Sequence, residues 1–274
     1  MHEYDHATDS RSEGPPDPAS GVRYRVLGML SLLSFILYLD RICIAQAVPA
    51  MEADLGISHT AMGLVLGAFT VAYGLFEVPT GHWGDRYGSR GVLTRIVLWW
   101  SAFTMLTGAA TGLIMLLIVR FLFGAGEAGA LPNSARVVAR WFPAPTRGWA
   151  QGVVIASALV GGAISPMVAE SLIQTLGWRW AFAVLGFPGV LWAVVFYRWF
   201  RDDPAKHVAV NEAECRLIGA HASSELHEHP PVPWRLVLRS ANIWLLGAVI
   251  TCAAFTTYMF FSWYPTYLQD GRGV

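Results

Sequence analysis

A chain of 274 residues that is 54% hydrophobic and only 14% charged lies far from the roughly 25% charged usage of soluble domains, which excludes an ordinary water-soluble fold. Its 19 Lys and Arg balance 19 Asp and Glu, so net charge argues for neither a nucleic-acid nor an acidic partner, and the position of each charge is what matters. Twelve Trp and 27 Gly fit a bilayer protein, because aromatics gather at membrane interfaces and Gly lets membrane helices approach closely.

The polar tail, residues 1–24, carries Asp5, Asp9, Glu13 and Asp17. It lacks the basic start and the small-residue cleavage site of a secretory signal, so the first apolar run is expected to remain as an anchor. A bilayer-crossing helix needs about 20 mostly apolar residues, and runs of that kind fall at 26–48, 62–80, 92–110, 113–138, 149–172, 180–200 and 243–268. The expected class is therefore an all-α, multi-pass membrane protein. Residues 201–233 form a polar linker between the sixth and seventh runs, in which 211–226 reads equally as a short surface helix or a loop. Of the 19 Lys and Arg, two lie deep inside apolar runs (Arg41 and Arg120) and two on one side (Arg179 and Arg272); the other fifteen, including those at run ends, gather on the side of the N-terminal tail. That excess predicts a cytoplasmic N-terminus, and the expected location is the plasma (inner) membrane.

Four charges sit deep inside apolar runs, away from their ends: Asp40 and Arg41 in the first, Arg120 and Glu127 in the fourth. Each costs about 2.5–3.5 kcal/mol at a helix centre unless it is paired or hydrated, so all four are expected to face the bundle interior. Arg120 and Glu127, seven residues apart, share one helix face, whereas adjacent Asp40 and Arg41 diverge by about 100°. One reading is static ion pairs that fix helix packing. The other is transport: the first and fourth runs are matching members of a three-plus-three repeat, and carriers place their sites at repeat interfaces near the midplane. Protonating both carboxylates would leave two guanidinium charges for an organic anion, and guanidinium grips a carboxylate with two parallel bonds.

Other patterns are weaker. Gly124, Gly126 and Gly129 match a dinucleotide-binding spacing, but no strand precedes them and Trp149 stands where an acidic ribose ligand is expected; close helix packing explains them better. Cys43, Cys215 and Cys252 have no paired spacing, and Cys215 with His221, His227 and His229 lacks the fixed spacing of a metal site. Neither a metal nor a cofactor is expected. Glu77 and Glu170 lie towards the ends of the second and fifth runs, where interfacial solvation is expected. No nucleophile–base pair converges in the runs, so an enzyme is not expected.

The turn between the second and third runs reads Gly81-x-x-Gly84-Asp85-Arg86-x-Gly88-x-Arg90. Gly81 and Gly84 suit crowded helices, Gly88 suits a tight turn, and Asp85 suits pairing with Arg or a helix N-terminus. This loop resembles the signature of the major facilitator superfamily. Tyr38-x-Asp40-Arg41, Arg120 with Gly124-x-Gly126-Glu127, Trp141-Phe142-Pro143, Gly177-Trp178-Arg179 and Trp263 through Leu268 together resemble its anion:cation symporter family, which includes sugar-acid carriers, phthalate permeases and vesicular glutamate and sialic acid transporters.

The resemblance implies an N-terminal six-helix bundle of 3+3 inverted repeats at 25–200, a central cytoplasmic loop at 201–233, and, at 234–274, the first helix of an incomplete C-terminal bundle. It implies that Arg41 and Arg120 hold the substrate carboxylate and that Asp40 and Glu127 exchange protons, in preference to sodium. Tyr73 lines the cavity, with Tyr38 a lesser candidate. Gly81, Asp85, Arg86, Gly88 and Arg90 belong to a cytoplasmic gate that meets an eleventh helix. Gly91 and Thr146 depart from the family pattern beside that gate. The alternative is a non-transporting sensor, interaction protein or inactive remnant on the same bundle. With the C-terminal half missing, this chain is expected not to transport by itself. Vesicles containing it alone should accumulate no labelled sugar acid, and accumulation above protein-free vesicles would overturn that expectation.

Overall fold

The computed structural model describes residues 18–219, 234–260, 264 and 267–268. Expectations that fall on the tail before Pro18, on His221, His227 and His229, and on most of the Trp263–Leu268 motif lie outside the described residues. Within them the chain forms α1 (Val22–Leu55), α2 (His59–Tyr87), α3 (Ser89–Gly108), α4 (Leu113–Glu127), α5 (Ala130–Trp141), α6 (Arg147–Leu176), α7 (Trp178–Trp199), α8 (Glu212–Ile218), α9 (Trp234–Arg239) and α10 (Ala241–Tyr258), with no strand.

The helices outrun the apolar segments because glycine ends them, not polarity. Gly56, Gly88 and Gly177 adopt φ of 63°, 80° and 77°, a backbone region that side chains disfavour and that commonly follows a helix C-terminus. The fourth apolar run is interrupted at Ala128 and Gly129, although it remains one span over Leu113–Trp141. Pro132 supplies the cause, since it has no N–H to give Ala128 and its ring crowds that carbonyl.

Among the described residues, five helical segments are long and apolar enough to cross a membrane: Val22–Leu55, His59–Gly84, Leu113–Trp141, Ala144–Leu176 and Trp178–Trp199. The 20-residue α3, less apolar because Arg90 and Arg95 occupy its first turns, packs among them. The seventh run is described as an 18-residue helix, α10, exposed along almost its whole length.

The main pairings are α1 with α6, α3 with α7 and α2 with α4, with lesser contacts of α3 with α4 and α1 with α7. Exchanging the first three membrane helices (α1, α2, α3) for the next three (α4–α5, α6, α7) returns the same set. The turns at Gly88 and Gly177 also match, with φ/ψ of 80°/149° and 77°/156°. Each opens a Gly-x-Arg. Arg90 at the start of α3 donates to Tyr197 O near the end of α7, at 2.8 Å from Nε. Arg179 at the start of α7 donates to Gly108 O and Ala110 O at the end of α3, at 3.1 and 2.6 Å. The antiparallel α3–α7 pair is therefore tied at both ends, each arginine sitting where a helix C-terminus presents its negative pole.

Small residues set the closest approaches. A side chain at Gly124 would strike the Phe69 carbonyl, at Gly126 the Trp99 ring, at Gly129 Thr80 and Ile96, and at Gly161 the Phe35 carbonyl. The nucleotide-like spacing is thus accounted for by packing of α4 and α5 against α2 and α3. Gly161→Ala should lower stability by about 1–3 kcal/mol, because a carbonyl on the facing helix cannot step aside. Gly152→Ala, into open space, should be neutral or slightly stabilising. Thermal unfolding of the two variants in detergent checks this.

Candidate functional site

Four charges in an apolar interior force α1 and α4 to face one another. Consecutive positions on α1 send Arg41 toward α2 and α4, and Asp40 toward α3. The Arg41 Nε donates to Glu127 Oε1 at 2.7 Å, and its Nη2 reaches the same oxygen. The Glu127 side chain is 1% exposed and that of Arg41 12%, so this is a buried pair between helices and not one between neighbours on a single helix. Tyr38, Phe69 and Tyr73 surround the Arg41 guanidinium, with ring centroids 5.0, 5.2 and 4.7 Å away. Aromatic faces are favourable seats for a desolvated cation.

Arg120 lies on the same face of α4 as Glu127, two turns earlier, and its guanidinium rests 4.6 Å from the Phe123 ring centroid and 5.4 Å from that of Phe69. Asp40 is 1% exposed. Neither of its oxygens closes a hydrogen bond of ordinary geometry, although the Trp100 indole is turned toward it. Glu127 Oε2 and Arg120 Nε also lack a hydrogen-bond partner among the described residues. Buried polar atoms almost always find partners; here both signs of charge are left with unused capacity in one place. Ser165 Oγ donates to Leu39 O at 2.8 Å, fastening this turn of α1 to α6.

The structure thus brings together Asp40, Arg41, Arg120, Glu127, Tyr38 and Tyr73. Phe69, Phe123 and Trp100 join them, visible in the sequence only as apolar residues in apolar runs. Phe69 precedes Tyr73 by one turn of α2, and the two rings meet at 5.8 Å. Glu77 differs from its sequence expectation. Because α2 continues to Tyr87, Glu77 is well inside the helix, half-buried and within electrostatic reach of Arg41 and Tyr73. Glu170 remains near the end of α6, accepting from Gln174 Nε2 at 2.7 Å.

The signature loop sits at the α2–α3 turn. A side chain at Gly84 would strike Asn133, one at Gly81 would only touch Pro132, and Arg86 is exposed beside Tyr87. Gly88 makes the turn, and Arg90 ties α3 to α7 as described above. The Asp85 side chain lies outside what is described. Among the described residues no group of three His, Cys, Asp or Glu is placed to hold a metal ion.

The profile of the Major Facilitator Superfamily matches residues 30–274. The chain belongs to that superfamily. It is 35% identical over 252 residues to a probable sulfoacetate transporter of Cupriavidus necator, covering 92% of this chain and 58% of that protein. It is 34% identical to a probable galactarate/D-glucarate transporter of Bacillus subtilis, covering 97% and 62%, and 30% identical to a D-galactonate transporter of Escherichia coli O6:H1, covering 92% and 60%. The chain therefore spans about three fifths of the length of these curated relatives, which are transporters of organic acids and not enzymes. Among solved structures, a bacterial homologue of the human lysosomal transporter Spinster, inward-facing and occupied, superposes with a TM-score of 0.73 at 22% identity over 95% of this chain and 56% of that one. The proton:xylose symporter XylE gives 0.59 at 16%, over 76% and 52%. Both share the all-α superfamily fold.

Removing one partner of a buried pair strands the other. Glu127→Ala should therefore destabilise the bundle by about 3–5 kcal/mol, and adding Arg41→Met should recover much of that loss. A double-mutant cycle on thermal unfolding in detergent tests the pairing, and additive losses would rule it out.

Proposed function

We propose that this chain forms the N-terminal half of a secondary carrier that moves an organic anion together with protons across the plasma (inner) membrane by alternating access. The observation that carries the reading is the buried Arg41–Glu127 pair between α1 and α4, beside an Arg120 and an Asp40 that retain unused hydrogen-bonding atoms. Arg41 and Arg120 hold the substrate; Asp40 and Glu127 carry the protons; Tyr73, and less closely Tyr38, line the cavity.

The charges couple the two events. With both carboxylates ionised, Arg41 is engaged by Glu127 and the cluster is neutral. Protonating Glu127 weakens its hold, and protonating Asp40 removes the second negative charge. Two guanidinium groups then face an apolar cavity, where an anion is the stabilising partner. Anion and protons thus favour each other's binding, which is the requirement for symport. Sulfoacetate, galactarate and glucarate are dianions and galactonate is a monoanion, so the relatives' names support an organic anion carrying one or two acid groups, for which two arginines offer partners.

The self-mapping helix pairing and the matching turns at Gly88 and Gly177 support a 3+3 inverted repeat at 25–200, with the site on its first and fourth helices. The bias of Lys and Arg supports a cytoplasmic N-terminus, which puts Gly81, Asp85, Arg86, Gly88 and Arg90 at a cytoplasmic gate and makes 201–233 a cytoplasmic loop. Residues 234–274 begin the second half, which supplies the rest of the cavity and most of its selectivity.

The test is uptake of labelled galactarate and sulfoacetate into proteoliposomes by the complete carrier under an imposed pH gradient. Asp40→Asn and Glu127→Gln should each cut gradient-driven accumulation by about tenfold or more. Arg120→Ala should raise the half-saturating concentration about thirtyfold or more, as expected when one partner of a buried charge pair is truncated. Uptake indifferent to both the gradient and Asp40→Asn would sink the proton role.

A further inference from the structure

The N-termini of α1 and α3 lack caps of their own, as do those of α4, α5 and α7. Both α1 and α3 follow a glycine, Gly21 or Gly88, and neither has an acid in its first turn. The leading N–H groups of a helix have no acceptor within it, so these ends need oxygen from elsewhere. The segment after α7 provides it. Glu214 on α8, 0% exposed, accepts from Val22 N and Arg23 N at 3.0 Å each and from Arg23 Nη1 at 3.3 Å. Ser20 Oγ donates to it as well. Asn211 locks the arrangement: its Oδ1 accepts from Ser20 N at 3.1 Å and Glu214 N at 3.0 Å, and its Nδ2 donates to Pro18 O at 2.7 Å. At α3, Asp202 Oδ1 accepts from Arg90 N at 2.9 Å, and a side chain at Gly88 would displace that carboxylate.

We infer that the segment from Arg201 to Gly219 is a built-in strap whose two carboxylates, Asp202 and Glu214, act as remote N-caps of α3 and α1, so that it moves with the six-helix unit. More of the segment is docked in the same way. Trp141 Nε1 donates to Arg201 O at 3.2 Å, and His207 packs edge-on against Trp141 and Trp199 with centroids 5.7 and 4.7 Å away. Displacement of whatever follows begins no earlier than Gly219, whose φ of 74° ends α8.

The strap is constitutive at neutral pH. Burial pushes the Glu214 carboxyl up, but hydrogen bonds from Ser20 and from the Arg23 and Val22 amides, with the Arg23 charge, outweigh it and hold it below the ordinary glutamate range. A depressed carboxylate contributes fully above its unfolded value and loses its contribution only as pH falls through the lowered one. His207, a titratable neighbour, is held below its ordinary range by burial first and Arg201 next, so it stays uncharged at neutral pH while Glu214 is ionised.

Hydrogen exchange by mass spectrometry on the chain in lipid nanodiscs tests this independently of any substrate. The amides of Val22 and Arg23 stand where helix amides are normally unprotected, so their protection reports the strap directly. They should exchange slowly in the wild type, with constant protection between about pH 6 and pH 8, and about tenfold faster in Glu214→Gln. Asp202→Asn should release Arg90 without affecting Val22. Glu212→Gln, exposed on the same helix, should change nothing, and slow exchange in α6 should verify that each variant is folded. Unprotected Val22 and Arg23 amides in the wild type would overturn the inference without any variant, as would their indifference to Glu214→Gln.

Discussion

A guanidinium stripped of water must be met by a carboxylate or by something equally polar, and Arg41 is met by Glu127 from a helix 86 positions away in sequence. That single pairing sets how α1 and α4 confront each other. Phe69 and Tyr73 bring α2 against the same cation, and Phe123 shares Phe69 with Arg120. The interior is consequently neither an apolar core nor a finished salt-bridge network. Among the described residues, one oxygen of Glu127, both of Asp40 and one nitrogen of Arg120 close no hydrogen bond of ordinary geometry, an arrangement that is costly for a purely structural element and suited to a site that must release and accept partners. The interruption after Glu127 adds to this, because Pro132 relaxes the helix directly beyond the carboxylate that grips Arg41.

Much of this was legible in the sequence. Apolar length reveals helices, and four charges within apolar runs announce their own importance because lipid tolerates them so poorly. The divergence of Asp40 and Arg41 and the shared face of Arg120 and Glu127 follow from 3.6 residues per turn. What periodicity does not provide is the partner across the gap: nothing in the spacing says that Arg41 takes Glu127 while Asp40 turns to Trp100. Hydropathy also misjudges ends. It stops α2 near Thr80, whereas the helix runs on to the glycine at position 88, and this moves Glu77 from the rim toward the site.

The polar segment after α7 was the least legible part. Its charges resemble those of a solvated linker, yet Glu214 is among the most buried carboxylates in the protein. Only a map of which backbone amides lack acceptors shows why it is needed, and a glycine before the helix does not mark it, since α4, α5 and α7 begin after one as well.

The reciprocal arginines of α3 and α7 have a mechanical meaning. Arg90 pulls on the end of α7 at one face of the bundle, and Arg179 pulls on the end of α3 at the other. An axial slip of one residue shifts a helix about 1.5 Å, enough to spoil both ties at once. The pair therefore resists shear, a stiff spine beside the helices α1, α2 and α4 that carry the charge cluster.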